Sequence, residues 1–137
     1  MILFAPPTNA DMLLARPALT TMKRRYPGGF PSLTWVLPTA GYRMDQEARV
    51  TAATVTAEFD GTLRAQATLL EGAGFQVAAV RAVIAGLDMM SRASAPKRTF
   101  SELEAAVGWC LDHLPPGQAR GTPSEIAGLV RRAGPAV

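Results

Sequence analysis

The sequence has one cysteine, Cys110, and one histidine, His113. A single residue of each type cannot build a disulfide framework or a four-ligand zinc site within the chain, so no metal site and no cofactor are expected. Long apolar runs are missing as well. None approaches the roughly 20 residues that a membrane-spanning helix needs. The opening Met1-Ile2-Leu3-Phe4-Ala5 is too short for the core of a signal peptide and has no basic leader. A cytoplasmic chain without a membrane span is therefore expected. Aromatic residues are scarce at 7%, and the net charge of +3 is spread over short groups, Lys23-Arg24-Arg25, Lys97-Arg98 and Arg131-Arg132. A nucleic-acid surface needs a contiguous basic patch, often with interleaved aromatics, so that class is disfavoured.

What is present points to an ordinary folded domain. The 137 residues are 48% hydrophobic and 18% charged, which excludes a disordered chain. That length is enough to bury a core without metal or disulfide. No internal repeat stands out.

The centre of the chain is the stretch from Leu63 to Ala93. Leu63, Ala65, Ala67 and Leu69 alternate with Arg64, Gln66 and Thr68, the period of a half-buried strand. Glu71-Gly72-Ala73-Gly74 then supplies a turn in which glycine can take positive φ or allow a close backbone approach. After it, Val77, Val80, Val83, Ile84, Leu87 and Met90 recur at helical spacing.

Elements of both kinds flank this unit. A brief strand is expected at Met1–Phe4, before Pro6-Pro7. A helix capped by Thr8 or Asn9 should run to Arg25, with a kink or a restart at Pro17. Its terminal cations suit the helix dipole and need no anion site. Ser32–Leu37 is the second strand, closed by Pro38 and Gly41, with Leu33, Trp35 and Leu37 on one face. Asp45 caps a helix to Phe59. A hairpin is the rival there, because residues 54–59 also alternate and Asp60-Gly61 follows. Lys97–Phe100 is a fourth strand. Ser101-Glu102-Leu103-Glu104 reads as a capping box opening a helix with Leu103, Ala106, Val107, Cys110, Leu111 and Leu114 on one stripe. Pro115-Pro116-Gly117 stops it. A second box, Thr122-Pro123-Ser124-Glu125, opens a short tail helix.

Strands alternating with helices predict an α/β layer fold: a four-strand sheet plus a short C-terminal helix. A single domain is expected over residues 1–114, with a linker and amphipathic tail over 115–137. The polar residues Arg64, Gln66 and Thr68 further predict helices mainly on one face of the sheet, with the other face bare.

With that open face, the strand-turn-helix at Leu69–Phe75 and the last strand leading into a helix through Ala105-Ala106-Val107-Gly108-Trp109, residues 32–114 resemble the SpoIIAA-like or STAS superfamily. The resemblance implies a non-enzymatic regulatory module that binds a protein partner, in bacterial-type signalling. In that family the loop after the corresponding strand carries a serine or threonine phosphorylated by a partner kinase. Here the loop is Glu71-Gly72-Ala73-Gly74, which has no hydroxyl to phosphorylate.

The candidate contact residues are Glu71, Gly72, Ala73, Gly74, Phe75, Gln76 and Arg81, with the face bearing Arg64, Gln66 and Thr68 beside them. Two glycines at a helix start also suit an anion, so a small-ligand or lipid-binding domain using this turn is an alternative. The third glycine of a dinucleotide fingerprint would fall at Val77, however, and no P-loop lysine follows. A third reading is an accessory subunit, or a homo-oligomer, docking through the tail helix, which is too short to stand alone. No catalytic constellation is visible: His113 lacks a base partner or a pocket, Cys110 sits on a core stripe, and Met12, Met22, Met89 and Met90 read as core fillers and Trp109 as a boundary residue.

Overall fold

The computed structural model describes residues 2–3, 8–37, 44–118 and 121–134. Met1, Phe4, the Pro6-Pro7 pair, and the Pro38 and Gly41 expected to close the second strand lie outside the described residues, as does part of the linker. The elements are β1 (Ile2–Leu3), α1 (Asn9–Arg25), β2 (Phe30–Val36), α2 (Gln46–Glu58), β3 (Leu63–Leu69), α3 (Phe75–Met90), β4 (Lys97–Phe100), α4 (Leu103–Asp112) and α5 (Pro123–Ala133). This is the expected alternation. The helix, and not the hairpin, forms over residues 46–58.

The sheet is parallel throughout. Its body is three strands, β2, β3 and β4, and the two-residue β1 lies against β2, giving the order β1-β2-β3-β4. Each crossover helix therefore advances the chain by one strand in the same direction. Under the right-handed crossover rule such a walk puts α1, α2 and α3 on one face. They pack there together: Met12, Met44 and Ala48 are buried against Ala52, Val83 and Leu87, and Val36 and Leu70 meet Val77, Val80 and Ile84.

The chain then turns back. After β4, α4 and α5 cover the opposite face, where Trp35, Leu69, Leu103, Val107 and Ala127 form one buried cluster and Ala67, Ala106 and Cys110 another. The expectation of helices mainly on one face, with a bare side at Arg64, Gln66 and Thr68, is thus corrected. Ala67 and Leu69 on the apolar face of β3 are sealed by α4 and α5, and Gln66 and Thr68 lie beneath α1–α3, whereas Leu63, on the other side of the register irregularity at Phe30/Pro31, packs with Val55 of α2 and Phe59. Only Arg64, at the start of the strand, is exposed, and its Nε donates to the Gly28 carbonyl at 2.9 Å. Alternation marks two chemically different faces, but it does not say that the polar one is wet.

Local chemistry sets the helix ends. Thr8 with Asp11 and Thr122 with Glu125 form reciprocal capping boxes, and Asp45 accepts the Ala48 amide at 2.7 Å. The box expected at Ser101 is absent. The N-cap of α4 is Glu102, with no side-chain cap bond. A restart at Pro17 is not seen either: α1 is one helix of 17 residues. Pro17 and Leu13 are both exposed, so the carbonyl that the proline leaves unpaired can be solvated.

The tail helix docks within the chain. Ala127 is buried, Ile126 and Val130 pack on Trp35 and its neighbours, and Leu129 remains 55% exposed.

Candidate functional site

Two regions hold side chains in arrangements that packing alone does not require. The first is the turn between β3 and α3 with the outer side of that helix. Gly72 and Gly74 both take positive φ, 100° and 99°, in a backbone region that glycine enters freely. A Cβ at Gly74 would meet nothing within 4 Å, so the glycines serve the turn and not a close approach. The turn lifts Phe75 into solvent, 89% exposed at the first position of α3. From there Ala78, Ala79, Ala82, Ala85 and Gly86 line the exposed side of the helix, with Met89, also 89% exposed, near its end.

A single cation, Arg81, stands in this stripe. It lines a shallow groove with Gly72, Gly74, Val77, Ala78 and Ala82 and makes no ion pair among the described residues. Of the contact residues expected from sequence, Gly72 to Gln76 and Arg81 are exposed together on this surface. Glu71 is different, since it receives a hydrogen bond from Arg131 of α5 at 3.1 Å. Gln66 and Thr68 do not join the patch, because they lie under the helices on the inner side of α3.

The second region is that inner side. A half-open cavity of about 150 Å³ lies between the polar sheet face and α1–α3. Thr34, Gln66, Thr68 and Lys97 reach it from the strands, and Asp88 and Ser91 from α3 and its end. Sequence reading marked the polar face but missed the cavity, which depends on where three helices stand. The signal available was the match of Ser32, Gln66 and Lys97 in register, with Thr34 beside Thr68.

Asp88 lies 3.8 Å from Lys97. Its carboxyl is held above the usual range because burial penalises the charge, an effect that Lys97 only partly offsets. Among the described residues, two buried side-chain nitrogens lack a hydrogen-bond partner, Nε2 of Gln66 and Nε1 of Trp35. The indole sits in the apolar cluster under α5, whereas Gln66 borders the cavity.

The remaining candidates are absorbed by packing. The Cys110 thiol contacts the Ser32 carbonyl at 3.8 Å, and burial pushes it up to about 11, which leaves it protonated and unreactive at neutral pH. His113 Nδ1 lies 2.7 Å from the Trp109 carbonyl, and its ring lies 4.4 Å from the Trp109 ring. Trp109 also contacts Phe100, at 5.6 Å, as a boundary residue does. Among the described residues no group of three acidic, histidine or cysteine side chains could hold a metal ion, and no helix is long and apolar enough to cross a membrane.

Comparison with known proteins finds no match among protein-family models, curated proteins or solved structures.

Proposed function

We propose that the chain is a non-enzymatic regulatory module of STAS-like type that captures a protein partner on the outer surface of α3. What supports the kinship is the strand-turn-helix at Leu69–Phe75 and the short β4 leading into α4. The bare sheet face no longer contributes to it. The observation that carries the reading is Phe75, a large aromatic held 89% exposed by a two-glycine turn at the head of an apolar helix face. Exposing a phenylalanine forgoes about 1.5–3 kcal/mol of burial, and contiguous apolar surface of this kind marks interaction sites.

The partner's chemistry follows from the stripe. Ala78, Ala82 and Ala85 permit close backbone approach, which suits a second helix. Arg81 calls for a carboxylate on it, and Phe75 and Met89 flank the contact with apolar area. The partner is therefore an amphipathic helix of a second protein, apolar on the docking side and carrying one acid. The missing phospho-acceptor in Glu71–Gly74 makes this a capture surface without the usual phosphorylation switch.

The test is affinity capture from native extract with wild type, Ala82→Arg and Arg81→Glu run in parallel. Both positions are exposed, so the fold should be unaffected. A protein retained by wild type and lost by both variants supports the reading. Retention of the same proteins by all three removes this surface.

A further inference from the structure

The cavity beneath α1–α3 is on the far side of α3 from the docking face and stands on separate observations. Gln66 and Lys97 are register partners on β3 and β4, so their side chains leave the same face of the sheet side by side. Nε2 of Gln66 is buried without a partner, and a buried donor left unsatisfied loses its hydration without compensation. Lys97 has a side chain only 16% exposed, and among the described residues the acid paired with it, Asp88, is 3.8 Å away. That separation is longer than the roughly 2.7–2.9 Å of a strong charge-assisted hydrogen bond, so the pair is loose. An ammonium carries three donors, so this one has capacity left.

The cavity therefore presents one unsatisfied donor, Gln66 Nε2, beside the loosely paired Lys97 and Asp88, and an apolar wall of Met12, Val36, Ile84 and Leu87. Its volume, about 150 Å³, matches the size of apolar cavity known to accept benzene, and so admits about six to nine heavy atoms.

We propose that this cavity binds a small aliphatic α-amino acid, with its carboxylate between Gln66 Nε2 and Lys97 Nζ, its ammonium toward Asp88, and its side chain against Ile84 and Leu87. The argument for a zwitterion is charge balance. A simple carboxylate would add a net negative charge beside the half-buried Asp88, and a simple amine would add a positive one beside Lys97. A zwitterion adds neither and sets each of its charges against the opposite one. Thr34 and Thr68, in register on β2 and β3, supply hydroxyls that can donate to or accept from either end.

The experiment is titration of the full chain with L-valine, isobutyrate and isobutylamine, followed by the backbone amide signals of Thr34, Thr68 and Asp88, which line the cavity and are present in every variant, in a proton–nitrogen NMR spectrum. A saturable shift with L-valine at millimolar concentration, at least about tenfold weaker with the other two, supports the proposal. So does its loss in Lys97→Met and in Gln66→Leu. Gln66→Leu also separates binding from folding, since replacing an unpartnered amide with an apolar side chain should hold or raise the melting temperature while abolishing the shift. Absence of a saturable shift with L-valine would mean a cavity holding water only and would overturn the proposal. Equal shifts with isobutyrate would overturn the zwitterion, and binding that survives both substitutions would overturn the site.

Discussion

Arg131 of the last helix donates a hydrogen bond to Glu71 in the turn after β3, across 60 positions of chain, at 3.1 Å. The contact joins the C-terminal helix to the loop that presents Phe75. It is a surface pair, however, with the two side chains 55% and 30% exposed, and such pairs contribute about 0–1 kcal/mol. What holds α5 is apolar: Ala127 at 6% exposure and Trp35 at 4% lie in one cluster. Arg131→Ala should therefore change urea-unfolding stability by less than about 1 kcal/mol. Trp35→Ala should cost about 3–5 kcal/mol. Equal losses would mean that the ion pair, and not the cluster, seats the helix.

The two kinds of glycine in the α3 region should respond to substitution with opposite signs. Gly74 has φ 99° and ψ −174°, a region essentially confined to glycine, in which another residue costs about 1–3 kcal/mol. Gly86 lies inside α3 with open space where a Cβ would go. Gly74→Val should lower the melting temperature, and Gly86→Ala should raise it, by up to about 1 kcal/mol in stability. A neutral Gly74→Val would mean that the turn does not need its observed conformation.

Asp60 links the end of α2 to the segment before β4 by accepting both the amide and the hydroxyl of Ser94, each at 2.8 Å. These bonds, the side-chain one first, hold its carboxyl below the usual value of 3.8. A group whose folded pKa is depressed stabilises the fold above its unfolded pKa, and that contribution disappears as the pH falls through the folded value. Asp60→Asn should therefore be less stable than wild type at pH 6, and the gap should shrink as the pH drops below 3.8. Chemical denaturation along a pH series checks this, and a gap that grows toward acid would contradict it.

Cys110 should resist alkylation in the native state. Its thiol is buried and pushed up to about 11 by that burial, so little thiolate forms at pH 8. Iodoacetamide should label it only after denaturant is added, as read by intact mass. Rapid labelling of the folded chain would show that α4 opens readily.

Element order was legible in the sequence almost throughout because it rests on short-range patterns: period two at Leu63–Leu69, helical spacing from Val77 to Met90, and the caps at Thr8, Asp45 and Thr122. The Ser101 box misled because the Ser-x-x-Glu pattern fits one residue before the helix actually starts. Layering was harder to read. Arg64, Gln66 and Thr68 stand on the less apolar face, but whether solvent or helices lie over them depends on the direction in which three crossovers walk across the sheet. That information is in the topology and not in any window of residues. The shared exposure of residues 72–76 and Arg81 could be anticipated because a glycine turn and a following phenylalanine are adjacent in sequence. The cavity was not, because its walls come from six elements.

The most direct measurement of the central claim, capture of a partner helix on the outer face of α3, is photo-cross-linking from a reactive side chain placed at position 82, with a matched one on exposed Glu104 of α4 as control. The predicted result is a cross-linked partner from position 82, competed away by unlabelled wild type and absent from position 104. Equal cross-linking from both positions, or partner cross-links from α4 alone, would contradict it.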